Sequence, residues 1–498
     1  MAPLPCVVGL DLGTSSVKAA AFADDSRQIA AAAEPLAQRH DEPGAAEQDP
    51  ETVYQATMRA LAAVGRQAAA AGFTVALVGI SAAMHSLIPV AADGQPLAPA
   101  LLWMDTRAGA TAARLRATPE GMALYARTGT PIHAMSPLAK LLWLRAAHPD
   151  RFGAAARFVS LKEWLWHRWW GAWEVDTSLA SATGLYATAG GTWDAEALRL
   201  AGIGPERLSQ LVPTTYIRQG ITAPDLLAAG FAPATRWNVG ASDGALANLA
   251  VDALDGRRLA VTIGTSLAVR IGSAAPVVEP VSQLFSYVLT EGRYIVGGAS
   301  NNGGVLLDWL FRDVLGGVAT AATGPLPASF NALVAAAGAT SSDGLLCLPY
   351  VAGERAPLWD AGARGVMAGL SVSHGAPQIM RAAIEGILCN ARWIAEPLLK
   401  RQPASHEVIA TGRLLEEPWI RQLAADILAL PVRLLGDVDA SLLGAVKLAR
   451  IAAGEWSWEQ SAYPAGAAAA ETSTPRDAAR CRDLYARFRH LAAAIYGE

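Results

Sequence analysis

Two stretches of this chain resemble each other at a separation of about 250 residues, which is too long for a solenoid, whose repeats run to ~20–50 residues. Gly9 to Lys18 read G-L-D-L-G-T-S-S-V-K, and Ala260 to Val269 read A-V-T-I-G-T-S-L-A-V. In each copy an apolar strand enters a Gly-Thr-Ser turn and a second apolar strand leaves it. The sequence therefore predicts two related domains, each of which offers one hairpin turn to a shared ligand.

Alternating strand and helix patterns indicate an α/β fold. At 498 residues the chain exceeds what one hydrophobic core usually supports, so we expect two large domains with room for a small appendage. Short apolar runs alternate with longer helical patterns, several of them opened by Pro or closed by Gly. The predicted strands include Val7 to Leu10, Val75 to Ile80, Ala260 to Ile263, Leu345 to Leu348 and Val408 to Ala410. The predicted helices are Pro50 to Ala71, Gly304 to Val314, Pro377 to Leu399, Glu417 to Leu430 and a tail helix near Arg476 to Tyr496.

An aromatic run stands out between Glu163 and Trp170, which reads E-W-L-W-H-R-W-W. The pattern predicts a helix. We interpret its rings as amphipathic packing against their own domain, and not as a platform for stacking nucleotides.

Charge and hydropathy exclude two classes of partner. The formal net charge of −4 and 17% charged residues leave no basic stripe to neutralise a nucleic-acid backbone. The longest nearly uncharged stretch, Ala68 to Met84, is just short of the ~18 apolar residues of a spanning helix, so no membrane span is predicted.

The N-terminus, M-A-P-L-P-C, lacks the pattern of a secretory signal. The cysteines are too scattered for a zinc site or a disulfide framework and fit a reducing, cytoplasmic location; they are Cys6, Cys347, Cys389 and Cys481.

The two Gly-Thr-Ser turns are candidate phosphate sites. Such a turn exposes backbone N–H groups and two hydroxyls, and this kind of nest binds anionic oxygens. The candidate ATP-binding residues are Gly13, Thr14 and Ser15 in the first turn and Gly264, Thr265 and Ser266 in the second. Lys18 adds a positive charge for the phosphates. Asp11, just ahead of the first turn, is the candidate metal ligand, because Mg²⁺ favours one or two carboxylates plus phosphate oxygens. Taken singly, each turn is better explained as a plain hairpin; the pair, with Asp11 ahead of the first turn, favours a nucleotide.

Asp243 is the candidate catalytic base. It lies in G-A-S-D-G-A-L-A-N, where a glycine-rich turn passes into a helix. There its carboxylate could accept the proton of a substrate hydroxyl. A low pKa at a helix N-terminus is compatible with this role, because phosphoryl transfer relies chiefly on positioning and charge neutralisation. The alternative is that Ser242 or Asp243 merely caps the helix.

A second polar cluster suggests a polyhydroxylated ligand. An aromatic face beside Asp, Arg and His suits a sugar, because the ring packs on C–H groups while the charged groups bind hydroxyls. The candidate substrate-binding residues are Met84, His85, Trp103, Asp105, Arg107 and His133. Each of them alone is more often structural, so the prediction depends on their being brought together.

At these residues the chain resembles the FGGY family of carbohydrate kinases, and within it the bacterial gluconate kinases. The similarity runs almost end to end, from D-L-G-T at Asp11 to S-L-L-G-A at Ser441. Further family-like stretches are Met135 to Trp143, Gly353 to Pro357, Gly365 to Leu370 and Arg381 to Gly386. The subgroup resemblance rests on A-M-H-S-L at 83–87, R-T-G-T-P-I-H at 127–133 and N-N-G-G at 301–304. Xylulose kinases usually show Gly where this chain has Ser86.

The resemblance implies two actin-like, ribonuclease H-like domains with a catalytic cleft between them. Residues 1–250 would carry the sugar site and the first phosphate turn, residues 251–454 the nucleotide, and residues 455–498 a helical tail. It also implies Mg²⁺ and ATP as donor, D-gluconate as the acceptor that becomes 6-phosphogluconate, Asp243 as base and Asp11 near the metal. Gly304, Gly412 and Arg413 would lie near the nucleotide. A homodimer is left open.

The chain departs from the family after the strand Val408 to Ala410. Relatives have a glycine-rich turn there and then a small polar residue near the nucleotide, whereas this chain keeps only Gly412, with Arg413 beside it and Glu416 at the small polar place. Arg413 would stack on adenine or bond the α-phosphate. Alternatively, its bulk impairs ATP binding or changes the donor.

Two other functions stay open at this point. One is a kinase for a neutral pentulose such as xylulose, and the other is a catalytically weak sugar-binding or regulatory protein of the same fold. A sugar acid needs a cation or several donors for its carboxylate, and Arg107, His85 and His133 can supply these. Arg107 discriminates least, because a Trp-x-Asp-x-Arg element also resembles kinases of neutral sugars.

Overall fold

A computed structural model describes most of the chain, namely residues 3–316, 329–435, 439–460 and 471–497. The chain divides into two compact units, each built from three separate segments. The first unit consists of Met1–Leu254, Gly272–Val296 and Asp437–Ala468, and the second of Asp255–Ile271, Gly297–Gly436 and Ala469–Glu498. The predicted domain boundaries near residues 250 and 454 stay a prediction. They divide the chain into consecutive ranges, whereas each unit here combines three separate segments of the chain.

Strands and helices alternate along the chain. The strands are β1 Leu4–Leu12, β2 Ser16–Phe22, β3 Gln28–Pro35, β4 Glu47–Gln48, β5 Phe73–Ala82, β6 Ile88–Val90, β7 Ala100–Leu101, β8 Arg157–Val159, β9 Glu174–Asp176, β10 Tyr186–Ala187, β11 Thr192–Trp193, β12 Gln210–Val212, β13 Ile217–Arg218, β14 Arg236–Ser242, β15 Arg258–Ile263, β16 Leu267–Ser273, β17 Phe285–Thr290, β18 Arg293–Ser300, β19 Leu346–Leu348, β20 Val366–Ala368, β21 Glu407–Thr411, β22 Val432–Leu434 and β23 Thr472–Ser473. The helices are α1 Pro50–Ala70, α2 Gly109–Arg116, α3 Pro119–Thr128, α4 Pro137–Ala147, α5 Pro149–Ala154, α6 Leu161–Trp170, α7 Thr177–Ser181, α8 Ala195–Ala201, α9 Pro224–Ala228, α10 Asp243–Ala250, α11 Gly304–Trp309, α12 Phe330–Gly338, α13 Ala376–Arg401, α14 Pro418–Leu428, α15 Ala440–Ala452 and α16 Ala478–Tyr496.

The first unit is built on a six-stranded sheet in the order β13-β14-β5-β1-β2-β3. Strands β1 and β2 form an antiparallel hairpin, and β5 and β14 extend the sheet in parallel with β1. Helix α15 lies close against β1 and β5 where Gly9 pairs with Gly79. A Cβ on Gly9 would lie 2.6 Å from the Leu442 carbonyl, and one on Gly79 would overlap the Ala445 carbonyl. The two glycines therefore allow this helix to pack directly on the strands that carry the first turn.

The second unit repeats the same core arrangement. Strands β15 and β16 form an antiparallel hairpin, β21 pairs in parallel with β15, and β22 pairs in parallel with β21. The two hairpins, β1–β2 and β15–β16, are joined by the two Gly-Thr-Ser turns. The internal similarity in the sequence thus corresponds to a repeated structural core, and the predicted two-domain α/β fold is confirmed.

The predicted helices all occur, with one difference in type. Helix α11 ends at Trp309 and continues as a π-helical turn, Leu310–Leu315, where the sequence predicts one α-helix to Val314. Helix α6 contains the aromatic run; its N-terminal Ser160 and Glu163 form a capping box, and Trp164, Trp166 and Trp169 are buried. The packing interpretation of that run is therefore confirmed. In the parts of the chain that the structure describes, no helix has the length and apolar character needed to cross a membrane.

Candidate active site

The first Gly-Thr-Ser turn is fixed by two glutamine side chains. A Cβ on Gly13 would lie 2.8 Å from the Ser16 carbonyl, so the tight turn between β1 and β2 needs glycine. The amides of Gln38 and Gln48 donate to the Thr14 carbonyl at 3.2 and 2.7 Å. These contacts hold the peptide between Thr14 and Ser15 in one orientation. Neither glutamine is recognisable as part of the site from the sequence.

Asp11 lies beside this turn at the end of β1 and is buried. Its Oδ1 accepts a hydrogen bond of 2.6 Å from Ser81 Oγ on β5. Burial, together with the nearby charges of Asp439 and Asp243, raises the pKa of Asp11 to about 7, and the Ser81 bond opposes this rise. Three carboxylates therefore act on one another here, and a cation at this place would relieve their repulsion.

Lys18 is paired with one of these carboxylates. Its Nζ lies 2.7 Å from Asp439 Oδ2, and both side chains are partly exposed. The other oxygen of Asp439 accepts from the Ser441 and Leu442 amides and so caps α15. The sequence predicts a lysine that faces phosphate; the structure gives this lysine a carboxylate partner 421 positions away along the chain, which sequence reasoning missed.

Asp243 is the first residue of α10. Its Oδ1 accepts from the Gly244 amide at 2.7 Å. Ser242, the other candidate cap, makes no side-chain capping bond; its Oγ instead pairs with Ser178 Oγ at 3.0 Å. The charge of Asp243 is near enough to contribute to the raised pKa of Asp11, so the strand-to-helix junction brings the Asp243 carboxylate into the neighbourhood of Asp11.

The short helix α7 connects Asp243 with the candidate sugar site. Ser178 on this helix accepts from the Ser242 amide at 3.3 Å as well as pairing with its hydroxyl. The Ser181 carbonyl accepts from Thr130 Oγ1, and the Ala182 carbonyl lies 2.8 Å from His85 Nδ1. This helix therefore links the strand end at 242 to the two loops that carry His85 and His133. No pattern in the sequence indicates this role of the helix.

His85 and His133 are buried, and their neutral rings carry the proton on different nitrogens. His85 adopts a left-handed backbone with φ of 71°, which few residues other than glycine adopt without strain. Because its Nδ1 faces the Ala182 carbonyl, that nitrogen carries the proton and Nε2 is an acceptor in the neutral ring. His133 Nδ1 accepts from the Met135 amide at 3.2 Å, so the neutral ring carries its proton on Nε2.

Lys140 ties two substrate loops together. Its Nζ is buried and donates to the carbonyls of His85 at 2.5 Å and of Leu102 at 2.7 Å. Burial lowers the pKa of this lysine to about 7, with Asp105 opposing the shift. The backbone next to Met84 and that next to Trp103 are thus joined by one ammonium, so the predicted sugar residues do come from neighbouring loops. Lys140 was not a predicted site residue.

Arg107 differs from the expectation that it could receive a substrate carboxylate. Its guanidinium donates to Asp105, Glu47 and Glu42 and lies 4.8 Å over the Trp143 ring. Asp105 is buried and also accepts from the Ala46 amide. An arginine that already faces three carboxylates is a poor partner for a fourth, so in this arrangement Arg107 organises the acidic loop.

The second unit has a cavity of about 780 Å³ beside its Gly-Thr-Ser turn, which is within the usual range for small-molecule sites. Gly264, Thr265 and Gly304 line one part of it, and Arg413 and Glu416 another. Its other lining residues include Asp308, Phe330, Asn331 and Ile420, which the sequence did not indicate. A lining of glycine-rich turns together with mixed apolar and polar side chains suits a nucleotide.

Two further predicted ATP-binding residues, Gly412 and Ser266, shape the turns next to this cavity. Gly412 has φ of 98°, and a Cβ there would overlap the Ile263 carbonyl, so the turn before Arg413 needs glycine. Ser266 closes the hairpin turn through its carbonyl, which accepts from the Gly264 amide at 3.0 Å. The retained glycine is therefore explained by the close approach of β15 and β21.

Comparison with known proteins identifies the family. Residues 6–250 match the N-terminal domain, and residues 259–453 the C-terminal domain, of the FGGY family of carbohydrate kinases. The chain is 35% identical over 453 residues to a gluconokinase of Bacillus subtilis, covering 90% of this chain and 88% of that protein. It is 30% identical over 455 residues to the xylulose kinase of Escherichia coli, with 90% of each chain covered.

Solved structures agree with this result. A gluconate kinase structure from Lactobacillus acidophilus matches with a TM-score of 0.91 and 29% identity over 99% of each chain. A structure from the same organism described as a ligand-bound xylulose kinase matches with the same values. The chain belongs to the FGGY family of carbohydrate kinases, as the sequence motifs predicted, and it is a carbohydrate kinase by class.

Proposed function

We propose that this protein phosphorylates gluconate with ATP. The observation that carries the proposal is the similarity to gluconokinases of two Bacillus species, at 35% and 36% identity over 90% of this chain, against 30% for the xylulose kinase. The gluconate-kinase-like motifs around His85 and His133 support it, because both histidines are buried in the candidate sugar site.

The nucleotide would occupy the cavity of the second unit. Its phosphates would face the turn of Gly264 and Thr265, and its base would face the part of the cavity lined by Phe330 and Glu416. The cavity is large enough for a nucleotide. Arg413 lines it and would add positive charge or a stacking surface.

The residues present also fit a magnesium ion. Within the described parts of the chain, no three ligating side chains are grouped closely enough to hold a metal alone. Mg²⁺ commonly needs only one or two carboxylates together with phosphate oxygens. Asp11 and Asp439 would supply carboxylate oxygens, and burial together with the charge of Asp439 raises the pKa of Asp11. Bound there with the phosphates, the ion would neutralise charge that develops during transfer.

Asp243 would accept the proton of the attacking hydroxyl. One of its oxygens is held by the Gly244 amide, which orients the carboxylate. The attacking hydroxyl would be held by the loops that Lys140 and α7 fix in place. Met84, Trp103 and Asp105 would contact the sugar chain, and His85 and His133 would supply hydrogen-bond partners.

The carboxylate of the substrate would be bound by His133 and not by Arg107. Arg107 faces Asp105, Glu47 and Glu42, whereas the neutral His133 ring, whose Nδ1 accepts from the Met135 amide, carries its proton on Nε2 and can donate it to a carboxylate. This proposal differs from the expectation from sequence, in which Arg107 could also bind the substrate carboxylate.

Steady-state kinetics with gluconate and xylulose test the proposal. We expect wild type to have the higher kcat/KM for gluconate. His133→Ala should lower kcat/KM for gluconate by about tenfold more than for xylulose, since only the acid loses a hydrogen-bond donor to its carboxylate. Arg107→Ala should lower both to a similar degree, because it leaves buried Asp105 without its cation.

A wild type that prefers xylulose would favour the pentulose alternative, which the equal similarity to the two Lactobacillus structures keeps relevant. An absence of turnover with both substrates would favour a catalytically weak binding protein.

We further propose a cytoplasmic location. All four cysteines are free and buried, which supports a reducing compartment.

A further inference from the structure

Glu354 is a fully buried carboxylate outside the residues assigned so far. Its oxygens accept from the Arg355 amide at 2.7 Å, the Asn301 amide at 3.0 Å and Ser300 Oγ at 2.5 Å. The side-chain amides of Asn302 and Asn390 approach it at 3.3 Å. Five donors from three parts of the second unit therefore converge on one side chain.

The segment that Glu354 holds leads directly to the nucleotide cavity. Past Asn302, the amides of Gly303 and Val305 donate to the Thr265 carbonyl at 3.2 and 3.1 Å, and the Gly304 amide donates to the Gly264 carbonyl at 2.7 Å. The N-N-G-G turn is thus bonded to the Gly-Thr-Ser turn by three backbone hydrogen bonds.

Close packing makes this contact sensitive to small movements. A Cβ on Gly303 would lie 2.7 Å from the Ser266 carbonyl oxygen and 2.8 Å from that of Gly264. Asn302 also bridges back to the Glu354 loop, because its Nδ2 donates to the Gly353 carbonyl at 2.7 Å and its Oδ1 accepts from the Ala352 amide. A shift of Asn302 would therefore be passed to the turn that faces the phosphates.

We propose that Glu354 is a positioning residue for the nucleotide site. Its carboxylate fixes Ser300 to Asn302, and that segment fixes the Gly264 to Ser266 turn, on which nucleotide affinity depends. The inference rests on the proposed nucleotide site of the second unit, since Glu354 lines no part of the cavity itself.

The chemistry at this place requires a carboxylate. An ionised carboxylate only accepts hydrogen bonds, and every group around Glu354 is a donor. A glutamine of the same shape would turn its own NH₂ group toward at least one of these donors, leaving buried polar groups unpaired. Burial raises the pKa of Glu354 to about 7, against the lowering effect of Ser300, Asn301 and Asn302.

Titration calorimetry with ADP tests the proposal. Glu354→Gln should weaken ADP binding about tenfold, and should leave gluconate binding unchanged because the sugar residues lie in the first unit. Ser300→Ala, which keeps the buried charge, should weaken ADP binding in the same direction by about threefold. In kinetics, Glu354→Gln should raise KM for ATP without raising KM for gluconate.

Glu407→Gln is a matched control in the same unit. Glu407 pairs with Arg258 and Arg433 at the start of β21, and Arg258 begins β15 at the end opposite the Gly264 turn. This variant should lose thermal stability but keep ADP affinity within twofold of wild type. Equal losses of ADP affinity in the two glutamine variants, or an unchanged affinity in Glu354→Gln, would overturn the positioning role.

The pH dependence of ADP affinity is a second test, because a purely structural role of Glu354 would not produce it. Below pH 7 Glu354 gains a proton and loses acceptor capacity. The ADP affinity of wild type should therefore approach that of Glu354→Gln, and the ratio of the two affinities should become smaller from pH 8 to pH 6. Burial, with a contribution from Glu354, raises the pKa of the neighbouring Tyr350 and Tyr496, so both phenols stay uncharged in this range. A constant ratio would contradict the proposal. A wild type that binds gluconate but not ADP would instead overturn the nucleotide site itself.

Discussion

Asp243 and Asp11 are brought together by two junctions that differ in kind. Asp11 ends a buried strand of the first hairpin, whereas Asp243 begins a helix directly after β14. Asp11 is buried and Asp243 is half-buried, and burial together with the charge of Asp243 raises the pKa of Asp11, which is the kind of perturbation found at functional sites. In the proposed mechanism Asp243 would act as the base and Asp11 would bind the metal, and phosphoryl transfer to a hydroxyl needs two such groups in one neighbourhood.

Replacing Asp243 by Asn should reduce turnover by ~10²–10⁴ while leaving gluconate affinity largely intact, because the amide keeps the shape but cannot accept the proton. The measurement is kcat with saturating gluconate and ATP, together with gluconate binding by calorimetry. Asp225→Asn is the control, since Asp225 accepts from Tyr54 Oη elsewhere in the same unit, and it should retain activity. Turnover of Asp243→Asn within a few-fold of wild type would remove Asp243 from the role of base.

The residues that sequence reasoning missed share one property. Glycines, turn residues and the strand-to-helix junction at Asp243 are visible because their role depends on neighbours in the chain. Asp439, by contrast, pairs with Lys18 from 421 positions away, and Lys140 acts on the Leu102 carbonyl from 38 positions away. A charged residue in a helix pattern gives no sign that its partner is a distant carbonyl, so such supporting residues appear only once the fold is known.

Helices α10 and α15 cross in the first unit at a point where only glycine fits. A Cβ on Gly444 would overlap the Leu246 carbonyl of α10. Since α10 begins with Asp243 and α15 is capped by Asp439, this crossing sets the spacing between the helices that present the two carboxylates. Sequence patterns predicted strands and helices well in this region, but not which pair of helices would touch.

Gly444→Ala should lower the free energy of unfolding by ~1–3 kcal/mol, because the added methyl forces the two helices apart. It should also lower kcat, since the shift moves Asp243. Gly153→Ala is the matched control: Gly153 lies in helix α5 and a Cβ there meets open space, so the change should be neutral or stabilise by up to ~1 kcal/mol. Urea unfolding measures both. A Gly444→Ala protein as stable as wild type would show that the crossing tolerates a side chain.

Each of the two units contains its own candidate binding residues, which predicts how ligands act on the whole protein. Gluconate alone should slow hydrogen–deuterium exchange in peptides around His85 and Asp105, and ADP alone should slow it around Thr265 and Gly304. Amides that become hydrogen-bonded or closed to solvent exchange more slowly. Mass spectrometry of both complexes checks this. Protection of the His85 region by ADP without protection around Thr265 would contradict the assignment of ligands to units.

The position of α15 has a consequence for how the protein is made. This helix comes from residues 440–452 but packs on β1 and β5 of the first unit through Gly9 and Gly79. A ribosome therefore has to synthesise almost the entire polypeptide before the amino-terminal sheet can cover one of its faces. Until then the nascent chain exposes apolar strand surface, which is prone to aggregation. We expect a fragment that ends at residue 254 to be insoluble, and chaperones to matter for this protein until its last segments emerge.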